Sequence, residues 1–560
     1  MTTQIDLLGW DTVFGISYKN VNEAIVNKKS TPAKFTFSND GITIDGTWKD
    51  WQLAIGGNGQ NLQLNCPINT GTVKAKEQTQ DLAGSTLTIQ VKLSQIPDPG
   101  FKNDSSPGTG GTPNKFILNT EGTIVDPSVS IISSSFPKVD GIVKAALPQI
   151  FQEYFINNIA EFNHVFAVVD LNIIADKSDY QWLMPTSTSY ACAPAADGSL
   201  DKSVFGVLCT TDNASSGLLQ QGIDARFLQN LPDGSNSRFA ISPYNVLKHI
   251  LLQGAVLNVK NSTADDFRIQ NDKNWLANNK DLTWGNFEVE DGKIISPLIK
   301  EGNFQLGVEN NFVVIKIVDA NCNWTGWHGP GDITLHMNMT QYIELGLKTT
   351  KNGWILVPKP FAEKVGDKTI THGSTSISTT VTTSEGVQIF EICTGIAAAI
   401  AASVLGAVLG AAFDAAGSVA VKSTTQGVIE MELNEMTPLL SKASKESLLE
   451  LEEESFVSAS NTIANAGNKT YAQAFKAALS AQKYQLFGGI LGSLLGAQIG
   501  LIATYIKLAA DDDFDSIPTF DKFAAACIGS TAFPGSTGWD LKDANLNGPL
   551  LLTGNLKTAN

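Results

Sequence analysis

The sequence predicts an α+β chain: sheets through its larger N-terminal part, and two long apolar helices in the C-terminal third. Three observations carry this. Leu87, Ile89, Val91 and Leu93 alternate with Thr88, Gln90 and Lys92, the period-two pattern of a strand with one buried face. More continuously apolar runs at 163–175, 203–211, 312–318 and 332–347 predict strands buried on both faces. Beyond residue 385 the pattern changes: 392–413 holds no charged residue over 22 positions and 484–506 none over 23, each long enough as a helix to cross roughly 30 Å of apolar medium.

Taken in chain order, residues 46–71 read as strand, glycine turn and strand. In residues 56–61, GGNGQN, Gly56, Gly57 and Gly59 supply the positive φ that a hairpin needs between the alternating Leu53/Ile55 and Leu62/Leu64. Trp48 and Trp51, three apart in extended chain, are expected on opposite faces. The polar Pro/Gly/Ser stretch 97–114 reads as a surface loop. Residues 144–162 place Leu147, Ile150, Phe151, Phe155 and Ile159 at helical spacing, with Pro148 expected in the first turn. Residues 247–257 predict another helix. The stretch 427–454, with eight Glu and two Lys, reads as a solvated helix face plus loop. At 560 residues the chain is too long for one ordinary core. We divide it into 1–250 (sheet and helix), 251–384 (mainly β), 385–510 (helical, with the two apolar helices) and 511–560 (returning to the sheet).

Composition narrows the partners. With 39 basic against 55 acidic residues, net −16, nucleic acid is disfavoured, since its affinity comes largely from Lys and Arg neutralising phosphates. Six cysteines, Cys66, Cys192, Cys209, Cys322, Cys393 and Cys527, form no CxxC pair and read as reduced, buried thiols. No catalytic, cofactor-binding or metal-binding residue is assigned. GGNGQN fails as a dinucleotide fingerprint because Leu62 stands where the third glycine belongs and a strand follows. His328 and His336 flank Asp332, but their spacing matches no standard ligand pattern and a loop histidine beside a strand histidine is the plainer reading. Cys209 lies in an apolar strand with no base to activate it. The tryptophan pairs Trp48/Trp51, Trp275/Trp284 and Trp324/Trp327 read as packing aromatics, with membrane-interface anchoring as the alternative. An enzyme is therefore not expected.

Gly9-Trp10-Asp11, the helix at 17–27, Trp51-Gln52-Leu53, the glycine turn and the strand 62–68 ending in Cys-Pro-Ile resemble the N-terminal block of the clostridial forty-seven-kilodalton (P47) and OrfX proteins, encoded beside botulinum neurotoxins. Residues 180–185 (YQWLMP) and 239–252 (FAISPYNVLKHILL) are similar to later blocks. The resemblance implies a tubular lipid-binding (TULIP) fold, with highly curved antiparallel sheets wrapped around long helices and a helix–sheet seam able to hold acyl chains. It also implies phospholipid or toxin-cluster protein partners and an insecticidal or neurotoxin-associated role, and it supplies no catalytic or lipid-contact residues.

The expected function is thus a non-enzymatic lipid-binding or toxin-accessory protein, without cofactor and without constitutive membrane contact. The opening MTTQIDLLGWDTVFG has neither a basic n-region nor a long apolar h-region, so synthesis in a bacterial cytoplasm without a Sec-type signal and non-classical release are expected. The alternative is a membrane-inserting pore former using 392–413 and 484–506. Gly406, Gly410, Gly488, Gly492, Gly496 and Gly500 recur at four-residue spacing there, suited to close helix packing in either setting. The Ala and Gly content of both segments, whose transfer into lipid gains little, favours burial against protein.

Overall fold

The computed structural model describes residues 4–98, 113–122, 127–169 and 180–252, most of 255–358, strands within 363–383 and 420–433, and residues 520–558. The apolar segments 392–413 and 484–506, Trp327, His328 and nearly all of the 97–114 loop lie outside the described residues. Contacts divide the chain into two compact units: residues 1–242 with 522–543 and 551–560, and residues 243–521 with 544–550.

The first unit runs β1 (Thr12–Ser17), α1 (Tyr18–Lys28), β2 (Lys34–Asn39), β3 (Ile42–Trp48), β4 (Gln52–Leu53), β5 (Leu62–Ala75), β6 (Gln78–Asp81), β7 (Thr86–Val91), β8 (Leu93–Pro97), β9 (Asn114–Leu118), β10 (Val129–Ser135), α2 (Gly141–Asn158), β11 (Ala167–Val169), β12 (Ser187–Ala193), β13 (Val204–Thr210) and β14 (Ser237–Ile241). The second unit continues with α3 (Pro243–Asn245, prolonged by a π turn over Val246–Leu251), β15 (Phe267–Ile269), β16 (Trp275–Asn278), β17 (Leu282–Thr283), β18 (Phe287–Val289), β19 (Lys293–Ile295), β20 (Leu298–Ile299), β21 (Phe304–Glu309), β22 (Phe312–Thr325), β23 (Asp332–Thr350), β24 (Gly353–Pro358), β25 (Glu363–Val365), β26 (Lys368–Ile370), β27 (Thr375–Thr383), β28 (Ala420–Ser423) and β29 (Val428–Leu433). The chain closes with α4 (Asp521–Gly529), β30 (Thr531–Ala532), β31 (Ser536–Leu546) and β32 (Leu550–Thr558).

In the first unit a six-stranded sheet has the order β12-β13-β1-β14-β32-β31, and a second follows β10-β7-β5-β3-β2 with β4 and β6 also on β5. The second unit is dominated by one sheet centred on β22, β23 and β27. The ladders are antiparallel, as in β1–β13, β5–β7 and β22–β23. A sheet-dominated, antiparallel architecture is therefore present. The alternation at 86–93 is observed directly, with Leu87, Ile89, Val91 and Leu93 buried. In β13 every residue is buried.

Four local expectations need correction. Trp48 and Trp51 enter the same core, with ring centroids 5.5 Å apart. The pairing of β3 with β5 shifts register at Trp48, and residues 49–51 lie outside any strand before β4 begins, which cancels the face alternation. Pro148 lies inside α2, well past its first turn, because the helix already starts at Gly141. The carbonyl of Lys144 that loses its helical partner there is on an exposed residue, where water serves it. Of 163–175 only Ala167–Val169 is described as strand, with 170–179 outside the described residues. Within the acidic stretch 427–454, Val428–Leu433 is a strand paired with β27, since VIEMEL suits a ladder position better than a helix face.

Rings fill the seam between α2 and the β5-centred sheet. Trp48 stacks on Phe155 at 5.8 Å, Trp51 on Phe162 at 5.0 Å and Phe136 on Phe151 at 5.9 Å. Each such pair adds about 0.5–1.5 kcal/mol beyond area burial, so this seam is a solid core.

Candidate functional site

The glycine stretch is a hairpin. Leu53 pairs with Leu64 across it, and Gly57 and Gly59 have φ of 75° and 60°. Its amides are engaged: Asn58 N–H donates to the Asn61 carbonyl at 3.1 Å, and Gly59 exchanges both backbone bonds with Cys192 on β12. The turn thus clasps the edge of the six-stranded sheet instead of cradling an anion.

The other singled-out residues do not converge. His336 Nδ1 meets Asp319 Oδ1 at 2.5 Å, and no group of three or more metal-ligating side chains occurs among the described residues. Cys209 is buried in β13, and burial pushes its thiol up to about 12, so it offers no thiolate. Cys66, Cys192 and Cys527 are likewise buried and free.

The structure assembles a different place. A cleft of about 530 Å³ opens beside the N-terminus of α1, within the roughly 300–1,000 Å³ usual for small-molecule sites. One wall is the first turns of α1, from which Lys19, Asn20 and Glu23 face the cleft, and the other is the 228–236 loop carrying Asp233 and Ser235. Local chemistry builds each wall. Ser17 caps α1, its hydroxyl accepting the Asn20 N–H at 3.1 Å. Leu-Pro-Asp-Gly-Ser is a turn sequence, with Gly234 at φ 75°. Asn236 ties its end to β32: its side chain donates to the Leu556 carbonyl at 3.1 Å and accepts the Leu556 N–H at 2.7 Å. The buried side chain of Leu228 lies at the base.

One polar atom behind this cleft lacks a protein partner. The Ser235 hydroxyl is buried and makes no hydrogen bond. Asn20 is 8% exposed, and its Oδ1 accepts from Ser17 Oγ at 2.5 Å. The helix-end amides are occupied: Tyr18 N–H donates to Ser203 O at 2.9 Å, Lys19 N–H to Leu200 O at 3.1 Å. Sequence inspection singled out neither the cap nor this turn, and nothing in it joins residues 17–23 to residues 228–236.

Comparison with known proteins now bears on the whole chain. The family described as OrfX-like, Protein OrfX2/OrfX3/P47, matches residues 7–445. The chain belongs to the OrfX-like family. Protein OrfX3 of Paraclostridium bifermentans is 29% identical over 290 residues, covering 48% of this chain and 58% of that protein. Protein OrfX3 of Clostridium botulinum (strain Kyoto / Type A2) is 31% identical over 293 residues, with the same coverages. Protein P47 of that strain is 25% identical over 256 residues, 44% of this chain and 55% of P47. The chain thus matches under two thirds of the length of these relatives. The crystal structure of P47 of Clostridium botulinum E1 aligns over 98% of this chain and 99% of its own, with TM-score 0.51 and 14% identity, a likeness of fold. The cleft therefore sits in a member of the OrfX-like family, and the resemblance carried by Trp10, Trp51 and the glycine turn is confirmed.

Proposed function

We propose that this OrfX-like chain is a toxin-accessory protein without catalytic activity, which binds a lipid by its polar headgroup in the α1 cleft. The family match over residues 7–445 supports the toxin-cluster setting, and an insecticidal or neurotoxin-associated role beside other toxin-cluster proteins is part of this proposal. A headgroup mode is favoured over acyl-chain uptake at the α2 seam because Trp48, Trp51, Phe151 and Phe155 already fill that seam. The cleft offers room and a mixed polar lining, with Lys19, Glu23 and Asp233 among its side chains.

The test is flotation of the full chain with lipid vesicles, run beside dye release from the same vesicles at neutral and acid pH. Saturable flotation without leakage is expected. Rapid leakage at nanomolar protein overturns the accessory reading in favour of the pore former. Absence of both overturns the lipid part and leaves protein partners from the toxin cluster.

A further inference from the structure

We infer that protonation of His164 opens the turn 533–536 and the end of β32, which cover it, so that the first unit carries an acid-operated flap. This device is independent of the α1 cleft and of what that cleft binds.

A cavity of about 10 Å³ lies where α1, His164 and the C-terminal segment meet. The C-terminal segment contributes Phe533 and Pro534 of the turn, and Leu556 and Thr558 of β32. His164 is buried, and its Nδ1 lies 2.9 Å from the Ser30 hydroxyl. Ser30 does not line the cavity, whereas His164 does, so the ring presents its Nε2 edge there. Nε2 is buried with no hydrogen-bond partner in the protein. A space of this size holds one water at most. One water serves a neutral ring nitrogen and does not hydrate an imidazolium.

A carboxylate beside the ring could keep the charged form buried, but the elements packed around it bring none into the cavity. α1 carries Lys19, Glu23 and Lys28, Lys29 precedes Ser30, and Glu161 precedes Phe162. Lys557 of β32 is 2.9 Å from Asp540. None of these lines the cavity, and β1, β11 and the turn 533–536 hold no charged residue. Burial therefore acts on His164 unopposed and pulls its pKa down to about 4, against about 6.5 in water. The cover is lightly held. β30, which leads into the turn, is two residues long and pairs with Val168 and Val169 of β11. The Ser536 N–H and hydroxyl both donate to the Phe533 carbonyl, at 3.0 and 2.7 Å, so the turn moves as one piece. Swinging it out breaks those two ladder positions and the edge contact of Phe533 on Phe14, at 5.0 Å. Such short, peripheral pieces open before the sheets behind them. The open form presents Phe14 and Phe166, an apolar surface that appears under acid.

His164 is the only histidine of the first unit, and ordinary carboxyls titrate below pH 5. A ring that takes its proton near 4 when covered and near 6.5 when open raises the ratio of open to closed forms about twentyfold from pH 7 to pH 5. Hydrogen exchange of the full chain, read by mass spectrometry at both pH values and corrected for the intrinsic rates, measures that ratio. Peptides covering 164–169 and 530–537 are expected to exchange about twentyfold faster at pH 5 after correction, with β5 and β13 unchanged. His164→Leu and His164→Gln, which cannot take the proton, are expected to lose the rise.

Corrected rates that stay equal at pH 7 and pH 5 overturn the inference. Acceleration shared equally by β5 and β13 also overturns it, since that is opening of the whole unit. Acceleration that persists in a folded variant assigns the response to another group and overturns it as well. If neither variant folds, the contrast between 530–537 and β13 in the parent decides alone.

Discussion

At the scale of single residues, His164 carries the clearest physical consequence. Its ring is 1% exposed, between Phe162 and Phe166. Nδ1 lies 2.9 Å from the Ser30 hydroxyl, and Nε2 is buried without a partner. Burial pulls its pKa down to about 4. The unfolded chain takes up this proton near pH 6.5 and the folded chain only near 4, so the contribution to stability is complete above 6.5 and is lost as pH falls toward 4. The loss amounts to at most about 3 kcal/mol. Urea midpoints measured between pH 7 and 4 are expected to fall for the parent and to flatten in His164→Leu; equal slopes count against the assignment. Gly57 makes a second case. At φ 75° an added Cβ would sit 2.1 Å from the Asn61 carbonyl. Gly57→Ala is expected to cost at least about 2 kcal/mol, strain plus contact, read as a lowered midpoint, whereas a neutral change would mean that the turn is not held by the clasp on Cys192.

At the scale of elements, two helices close strand edges with side-chain amides. Asn22 on α1 accepts the Leu53 N–H at 2.6 Å and donates to the Leu53 carbonyl at 3.3 Å. Gln152 on α2 does the same for β10: Ile131 N–H donates to its Oε1 at 2.9 Å, and its Nε2 donates to the Val129 carbonyl at 2.6 Å. Each carboxamide stands in for a peptide group of a neighbouring strand, one way to manage an edge. Gln152→Leu keeps the bulk and removes both bonds. It is expected to cost about 1–3 kcal/mol and to speed hydrogen exchange at Ile131 selectively. Uniform exchange across β10 would deny the edge role. The helical spacing of 144–162 made α2 visible in the sequence. Its true start at Gly141 was not, because the turn that begins it is held from outside, by the Gln80 side chain accepting the Asp140 N–H at 2.8 Å. Strand β29 escaped for a like reason: glutamates in VIEMEL suit a wet helix as well as a wet strand face, and the partner β27 decides.

At the scale of the molecule, two kinds of acid-sensitive group among the described residues differ in their salt response. Lys138, Lys202 and Lys300 hold the carboxyls of Asp81, Asp197 and Asp281 below their usual range. These depressed groups stabilise the fold above the ordinary carboxylate pKa, near 4, and lose that contribution below it. All three pairs are exposed and screened by salt. Acid unfolding in 1 M salt is therefore expected to lose part of its dependence below pH 4 and to keep the His164 step between 6.5 and 4. Equal shrinkage of both ranges would place His164 among exposed groups. The sequence alone determined the strands with one buried face, the glycine hairpin and the family, because period-two burial and turn chemistry are local and are written in adjacent residues. Only the tertiary structure decided that Trp48 and Trp51 share one core, that the hairpin clasps Cys192, and that Asn20 faces the Ser235 loop. Those facts depend on register shifts and on contacts between segments far apart in the chain, where the free energy of packing, and not local preference, selects the neighbour.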